Sequence, residues 1–465
     1  MPETMTHPPA MRRFAGAGNR MWRIRAISLI AAAAGWLAAP AAAMDSPAAS
    51  AMAASEKRAA VFERRVANLW GADNVWRPSA TIWVQYEPDL GERSAVDFEN
   101  GRAEVQILLA PDGNPVGKAV RAHLRQGVGN LILAAPDDPV EMVAAQTLPL
   151  KMPAGPLPAG SARRPYRARD GDSLPAVARR FHMPLATLAE MNGLDASAPL
   201  FADRPLTVVA MVSHDLALDP APRPAAANAP LLDQIRMADG RAVSTASVGD
   251  FAAQVVRTRP PVVKPVVGED GIARLVVGAT FALVDDHLQV RADRFRPLVT
   301  AHARKWGLDP ALIMAIIHTE SMFNPRARSD APAYGLMQLV PHTAGREAYA
   351  ALYDKPRTLT PRYLYDPENN IKLGATYYSI LKNRYMGAIR DPQSRIYCAV
   401  AAYNAGASNV GSAFIARKSI RQAIPVINRL TPTEVYERLV ADLPMKESRN
   451  YVRKVLRRIR LYKNR

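Results

Sequence analysis

Two kinds of hydrophobic spacing divide the chain. From Arg291 to Arg465, apolar residues recur at intervals of three and four nearly throughout, which predicts a domain built of helices. Earlier, "ATIWVQYEP" and "SAVDFENGRAEVQILLA" are typical of strands, and the second stretch contains the Asn-Gly pair that hairpin turns prefer. Before them, "EKRAAVFERRVANLWG" has the apolar spacing of one helix face and ends at Gly71. The pattern therefore predicts an α+β region followed by a mostly α-helical domain.

The middle of the chain alternates between patterned segments and proline-rich ones. Residues 111–165 contain one amphipathic helix, near "VGKAVRAHLRQGVGNLILAA", and then a Pro-rich stretch. Residues 166–210 have the pattern of a strand, two short helices and a strand. An Ala/Pro linker follows at 211–225, and strand-like runs return in "PPVVKPVVGED" and "IARLVVGATFALV". Such linkers between patterned segments predict a multidomain protein.

Charge and cysteine content narrow the possible functions. The 465 residues carry a formal net charge of +18, which predicts an acidic partner such as nucleic acid, anionic lipid or an acidic polymer. The single cysteine, Cys398, excludes an internal disulfide framework and a cysteine-rich zinc site. It lies in the apolar run "YCAVAAY", which favours a position in the core. No motif for a metal or another cofactor is recognised.

Residues 1–43 are predicted to be an export signal. Arginines precede the apolar run "AISLIAAAAGWLAAP", and small residues at 41–43 offer a cleavage site. A retained membrane anchor is the alternative, but this run of about 15 residues is shorter than the roughly 20 that span a bilayer. No cysteine stands near the cleavage site, so no lipid anchor is expected there. We therefore expect a periplasmic or cell-envelope protein, and this location argues against nucleic acid as the partner. Residues 44–55, after the predicted signal, are expected to be flexible.

The stretch "GLDPALIMAIIHTES" predicts a helix with a carboxylate at its end. Asp309 suits the N-cap and Pro310 suits the first helical position. Glu320 follows Ile316 by four residues and Ile317 by three, so it lies on the apolar face. Burial and the helix dipole should both raise its pKa, as a general acid near neutral pH requires. A structural glutamate at a frayed helix end is the alternative.

Residues after this helix add groups suited to a carbohydrate cleft. Gly335 allows close backbone approach, Gln338 offers an amide to a sugar, and Met337 offers apolar surface to a sugar face. Downstream, the apolar helix "YCAVAAYNAG" ends in Tyr403 and Asn404, with a glycine at its C-cap. Each of these residues alone is more often a core or capping residue.

Four motifs in order resemble the catalytic domain of lytic murein transglycosylases of the soluble-lytic, goose-lysozyme-like type. They are "TES" with "FNP" and "AYGLMQL", then "YDPENNIKLGATYY", "AVAAYNAG" and "ESRNYVRKV". The resemblance covers 291–465 and implies a lysozyme-like fold that cleaves peptidoglycan. It implies that Glu320 is the catalytic acid/base. The substrate-binding residues that it implies are Ser329, Gly335, Met337, Gln338, Tyr403, Asn404 and Tyr451.

The two earlier patterned regions carry resemblances of their own. "VQYEPDLGERSAVDFENGRAEV" and the later "VVGEDGIARLVVGATFALVDDHLQVRADRF" are similar to the N-terminal α+β domain of the transglycosylase C group, which implies such a domain over residues 56–110 plus 226–290. Tyr166, the turn "GDSL" at 171–174, Leu188 and "NGL" at 192–194 are the landmarks by which residues 166–210 resemble a LysM module, a βααβ unit that binds N-acetylglucosamine-containing glycans. We therefore predict a LysM module inserted into a discontinuous N-terminal domain. Its implied glycan-binding residues are Gly171, Asp172, Ser173, Leu174, Asn192 and Leu194.

One carboxylate is enough for the activity that the resemblance implies. Ordinary glycosidases use two, but a lytic transglycosylase uses the C6 hydroxyl of its own substrate as the nucleophile. Asp366 precedes Pro367 and is typical of a helix cap rather than a second catalytic group. A hydrolytic muramidase needs a second carboxylate to activate water, and the sequence does not reveal one. A cell-wall-binding scaffold without turnover is the other alternative.

The basic C-terminal segment "MKESRNYVRKVLRRIRLYKNR" predicts a terminal helix. Val452, Val455, Leu456 and Ile459 share one face and should pack on the domain, leaving a solvated basic face. A stronger interpretation is electrostatic contact with an anionic cell-envelope surface, beside the main partner, the peptidoglycan glycan strand.

Overall fold

The structure is a computed structural model that describes residues 47–87, 89–134, 161–168, 172–181, 185–195, 200, 204–211, 229–329 and 333–463. The predicted export signal lies outside the described residues, and so do most of the two proline-rich linkers. In the part of the chain that is described, no helix is long and apolar enough to cross a bilayer.

The N-terminal half combines a sheet with a few helices. Its main elements are α1 (Pro47–Trp70), β1 (Ile82–Tyr86), β2 (Glu92–Asp97), β3 (Arg102–Leu109), α2 (Lys118–Leu133), β4 (Ser161–Arg167), α3 (Leu174–Arg180), α4 (Leu185–Met191), β5 (Pro205–Met211), α5 (Val248–Thr258), β6 (Val262–Val267) and β7 (Ala273–Ala282). Helix α1 begins nine residues before Glu56, so residues 47–55 are helical where the sequence predicts flexibility. Their alanine-rich composition favours helix, and the low-complexity interpretation overlooked that propensity.

Five strands form one antiparallel sheet in the order β1-β2-β3-β7-β6. Alternating side chains send Trp83 and Val96 to one face, under α2 and α5, and Val84 and Ala95 to the other, under α1. Both faces are therefore covered. Helix α2, which the sequence analysis sets apart from the discontinuous domain, packs in the core of this sheet.

The small unit is inserted between two paired strands of that sheet. Strand β3 pairs with β7 from Arg102 opposite Ala282 to Leu109 opposite Leu275. Strands β4 and β5, which lie between them in sequence, form a separate two-stranded sheet with α3 and α4 packed on it. The predicted fold class, with an inserted βααβ module, is confirmed.

The C-terminal part is mostly helical, as predicted. Its helices are α6 (His287–Lys305), α7 (Pro310–Ser321), α8 (Ala344–Tyr353), α9 (Pro361–Tyr365), α10 (Pro367–Ile380), α11 (Pro392–Ala405), α12 (Ala407–Gly411), α13 (Ile420–Ile427), α14 (Pro432–Asp442) and α15 (Lys446–Tyr462). A single π-helical turn, Leu381–Tyr385, extends α10. Cys398 is buried in this core, as expected.

Helix α7 is the centre of this domain. It is packed against α6 on one side and α15 on the other, and most of its side chains are buried. On α15, Val452 and Val455 are fully buried and Leu456 and Ile459 are partly buried, while the basic residues at 453, 454, 457 and 460 are exposed. The predicted apolar face of the terminal helix is thus confirmed, and it closes over the helix that carries Glu320.

Candidate active site

Helix α7 delivers Glu320 to the site at its last turn. Asp309 caps the helix by accepting a hydrogen bond from the Ala311 amide at 2.8 Å, and Pro310 occupies the first position, both as predicted. After Ser321, Met322 (φ 52°) and Phe323 (φ 59°) adopt left-handed backbone and end the helix. The carboxylate is therefore next to an abrupt change of chain direction.

Glu320 is a buried acid with a raised pKa. Glu320 is only 8% exposed, and this burial raises its pKa to about 8. The Tyr451 hydroxyl opposes this shift and the Glu447 carboxylate reinforces it. The predicted direction of the pKa shift, and desolvation as its cause, agree with the structure. A carboxyl group of this pKa is mostly protonated at neutral pH.

Gly335 is required where the chain returns to the site. Its φ is +77°, and a Cβ here would lie 2.3 Å from Asn370 Nδ2 and 2.3 Å from the Leu364 carbonyl. Asn370 organises this turn: Nδ2 donates to the Tyr334 and Leu364 carbonyls, and Oδ1 accepts from the Met337 amide at 2.8 Å. Sequence reasoning missed Asn370, although the "PENN" motif contains it. Asp366 caps α10 by accepting from the Asn369 amide, as predicted.

Met337 and Gln338, in the same turn, have different surroundings. The Gln338 side chain donates through Nε2 to the Ala327 and Gly335 carbonyls, both at 3.0 Å, while its buried Oε1 accepts no hydrogen bond within the described residues. Met337 is fully buried against Gly374. Its side chain fills the core and offers no surface to a sugar, which corrects the role given to it from sequence. The Met337 side chain points inward because the apolar core of the domain lies on that side of the turn.

Two tyrosines, Tyr403 and Tyr451, lie near Glu320. Tyr403 donates its hydroxyl to the Met337 carbonyl at 2.8 Å, and burial first, then Glu320, raises its pKa well above the usual range. Burial and then Glu320 also raise the pKa of Tyr451 well above that range. The Tyr451 hydroxyl lies close enough to affect the carboxyl, yet completes no hydrogen bond of normal geometry among the described residues. The structure thus gathers Glu320, Tyr403 and Tyr451 in one cluster, in which Glu320 and Tyr451 are buried and Tyr403 is partly buried.

Asn404 and Ser329 are each held by a local hydrogen bond. Asn404 Oδ1 accepts from the Ser448 hydroxyl at 2.7 Å, which fixes the amide against α15. Ser329 is buried and its hydroxyl accepts from the Ala333 amide at 3.2 Å. It also lines a pocket of about 250 Å³ together with Trp76, Arg77 and Arg328, at the boundary with the N-terminal half.

A second carboxylate, Glu447, was not found by sequence reasoning. It lies on α15 one turn before Tyr451, it is partly buried, and burial raises its pKa. Its charge also raises the pKa of Glu320, so the two carboxylates are near each other. The spacing of four residues in "ESRNY" was the available signal, because it places Glu447 and Tyr451 on the same helix face.

The LysM-like residues divide into structural and accessible ones. Leu174 is fully buried and Leu194 packs on the core of the unit, whereas Ser173 is exposed and Asp172 is partly exposed. The Tyr166 hydroxyl donates to Asp172 Oδ2. Gly171 lies outside the described residues. Asn192 joins α4 to β5, because Nδ2 donates to the Leu188 and Thr207 carbonyls and Oδ1 accepts from the Thr207 amide.

We expect Asn192→Ala to loosen this unit rather than only weaken a ligand contact. Three hydrogen bonds are lost and partly buried partners are left unsatisfied, for a cost of about 2 kcal/mol. Hydrogen exchange of the full chain should show faster exchange at the Thr207 amide, with Glu190→Ala, at an exposed position of α4, as the control. Unchanged exchange at Thr207 in Asn192→Ala would contradict the structural role.

Family models identify two domains in the chain. Residues 297–423 match the transglycosylase SLT domain and residues 166–209 match the LysM domain. The chain therefore contains a lytic-transglycosylase-type domain and a LysM domain, and the resemblance seen in the sequence motifs is confirmed for these segments.

Curated relatives of this chain are named lytic murein transglycosylases. The chain is 42% identical over 190 residues to membrane-bound lytic murein transglycosylase C of Cronobacter sakazakii, covering 41% of this chain and 52% of the relative. It is 40% identical over 193 residues to the protein of that name from Serratia proteamaculans, with the same coverage. The chain thus spans about half the length of these relatives. Among solved structures, an inactive mutant of lytic transglycosylase Slt from Pseudomonas aeruginosa is 30% identical, covers 36% of this chain and 23% of its own, and has a TM-score of 0.28.

Proposed function

We propose that the protein is a peptidoglycan lytic transglycosylase that cleaves the β-1,4 bond between N-acetylmuramic acid and N-acetylglucosamine. The observation that carries the proposal is the buried Glu320 carboxyl, whose pKa is raised to about 8 and which is gathered with Tyr403 and Tyr451. Such a group holds a proton at neutral pH and can give it to a glycosidic oxygen. The domain matches and the names of the relatives support the same substrate.

The reaction needs no second protein carboxylate. Glu320 protonates the glycosidic oxygen, and the bond from that oxygen to C1 of the muramic residue breaks. The C6 hydroxyl of that residue then attacks C1 and gives its proton to the Glu320 carboxylate, leaving a 1,6-anhydromuramic end. The carboxyl is protonated before and after each turnover. Because the nucleophile belongs to the substrate, the step has the advantage of an intramolecular reaction.

The surrounding polar groups suit binding and charge stabilisation. Gln338 Oε1, which has no hydrogen-bond partner among the described residues, is a buried acceptor for a hydroxyl or amide proton of the sugar. The Tyr451 hydroxyl lies beside Glu320 and likewise completes no hydrogen bond within the described part of the chain, so it can donate to oxygen that gains charge during bond breaking. Asn404 and Ser329 are also proposed to contact the glycan strand, as is Gly335 through its backbone.

The products of purified sacculi test the proposal. We expect soluble muropeptides with anhydro ends, detected by their mass, and none from Glu320→Gln. Reducing ends instead would indicate a hydrolytic muramidase, which the proximity of Glu447 to Glu320 makes the second candidate. Loss of reducing-end products in Glu447→Gln would then assign that residue to water activation. Absence of any product would leave a wall-binding scaffold.

The pH dependence of turnover should follow the Glu320 proton. The acid form is the active form, so kcat should stay high below the pKa and fall as pH rises through about 8. An ordinary glutamate would instead lose its proton near pH 4.5. Measuring kcat on solubilised glycan strands from about pH 3.5 to 9.5 checks this, and a fall centred near 4.5 would contradict it.

The other parts of the chain are proposed to bring the site to its polymer. The LysM domain would hold N-acetylglucosamine-containing strands, and exported protein would act in the periplasm or cell envelope. The exposed basic side of α15 would add electrostatic contact with anionic envelope surfaces.

A further inference from the structure

A buried arginine joins the N-terminal half to the turn that follows the Glu320 helix. Arg291, on α6, is 1% exposed. Its Nε donates to the Met322 carbonyl at 3.0 Å, Nη1 to Gln234 Oε1 at 2.6 Å, and Nη2 to the Phe98 carbonyl at 2.9 Å. Phe98 lies in the turn between β2 and β3, and Gln234 lies in the segment that precedes α5. One side chain therefore binds three separate parts of the chain.

The guanidinium is held tightly in this position. Burial lowers its pKa to about 9, so it remains mostly charged at neutral pH. Nη1 also contacts His287 Nδ1 at 2.9 Å, and the group lies 4.7 Å from the centre of the Phe98 ring. A buried charge is stable only while its hydrogen bonds are complete, so the three acceptors are constrained with it.

Met322 is the critical acceptor, because it is two residues beyond Glu320. It has left-handed backbone, and its side chain packs against the core of the N-terminal sheet. The following loop has further contacts with the same half: the Arg328 amide donates to the Ser79 carbonyl and Asn324 Nδ2 to the Ala80 carbonyl. Arg326 stacks on Trp83 at 4.5 Å. The loop from the acid to Arg328 is thus supported from the N-terminal half.

We infer that Arg291 is a positioning residue for the acid: by binding Met322, Phe98 and Gln234 together, it makes the N-terminal half part of the catalytic apparatus. The inference rests on the proposed function, because it concerns the geometry of Glu320. Arg291 acts through the turn and not through its charge. The charged and titratable groups that shift the pKa of Glu320 are Tyr451 and Glu447, both on α15, and Arg291 is not among them.

Two substitutions at Arg291 separate geometry from charge. Arg291→Met removes the charge and all three hydrogen bonds, and Arg291→Lys keeps the charge but lacks the planar fork that reaches three acceptors. If Arg291 positions the turn, both variants should lower kcat by roughly tenfold to a hundredfold, the range for a misplaced catalytic group. Both should also move the alkaline limb of the pH profile to lower pH, because a loosened turn admits water to Glu320.

Arg294 provides the matched control. It is on the same helix and binds the same segment, donating to Asp233 and to the Pro230 carbonyl, but it does not contact Met322. Arg294→Met should leave kcat and the pH profile near those of the unmodified protein. Kinetics on glycan strands are measured for the full chain, well below each variant's melting temperature.

The outcomes distinguish this inference from the proposed function. Arginine variants with lower melting temperatures but unchanged kcat and pH profiles would overturn it and leave only a structural role. If Arg291→Met does not fold, Arg291→Lys decides in the same way. An unmodified protein that gives no anhydro products contradicts the proposed function, whereas an active protein with indifferent Arg291 variants contradicts only the positioning role.

Discussion

Glu320→Gln is expected to lower kcat on purified sacculi by about a thousandfold or more, the size of effect associated with loss of a general acid. Glutamine has nearly the same shape as the protonated acid and can occupy the same buried position, but it has no proton to transfer. Because Glu320 is buried with its pKa raised to about 8, the substitution removes the proton donor with little change in packing. Release of anhydro-ended muropeptides, followed by mass, measures the effect.

The matched control is Glu368→Gln, the same change at an exposed position of α10 in the same domain. It should leave turnover unchanged. If Glu320→Gln releases products at the rate of this control, Glu320 is not the acid and the proposed mechanism fails.

The buried Glu320 carboxyl should also make the stability of the unmodified protein depend on pH, and Glu320→Gln should remove that dependence. Between pH 4.5 and about 8, the folded chain keeps the Glu320 proton that the unfolded chain has lost. The free energy of unfolding of the unmodified protein therefore falls as pH rises through this window. Glu320→Gln lacks this dependence, so its stability relative to the unmodified protein should increase with pH. Denaturant titrations at several pH values measure this difference.

Gly335→Ala is expected to cost about 3 kcal/mol or more of folding stability, from left-handed backbone strain and overpacking together. The added Cβ would lie 2.3 Å from both Asn370 Nδ2 and the Leu364 carbonyl, so it disrupts the hydrogen bonds that organise the turn. Because the same turn holds Gln338, activity should fall as well. Thermal unfolding of the full chain and turnover below the melting temperature measure the two effects.

Gly307→Ala separates backbone strain from overpacking. Gly307 has a φ of +60° in the same domain, but nothing lies within 4 Å of the position of an added Cβ. Its substitution should cost only about 1 kcal/mol and leave turnover unchanged. Equal losses at the two glycines would show that the close approach to Asn370 is unimportant.

Local signals in the sequence located the acid and its helix. Asp309 and Pro310 predict where α7 begins, and the isoleucine spacing predicts that Glu320 is on the buried face. Cap and first-turn preferences depend on a few neighbouring residues, so they can be read from the chain directly. The same reasoning correctly assigned Asp366 as a helix cap.

Long-range contacts account for what sequence reasoning missed. Asn370 acts on a turn more than thirty residues away in sequence, and Arg291 acts on a hairpin nearly two hundred residues away. Glu447 becomes relevant to Glu320 only because α15 packs on α7. Met337 was given a sugar-binding role because it is an apolar residue in this turn, but its side chain is fully buried in the core.

The sequence by itself determined where α7 and α10 begin, the buried face that carries Glu320 and the order of the patterned segments, because these follow from the periodicity and capping chemistry of neighbouring residues. The tertiary structure alone decided how deeply the acid is buried and that two tyrosines and a second carboxylate lie near it. It also decided that its turn is bound by an arginine to the sheet of the N-terminal half. Desolvation and hydrogen bonding between distant segments depend on which surfaces meet, and no local pattern contains that information.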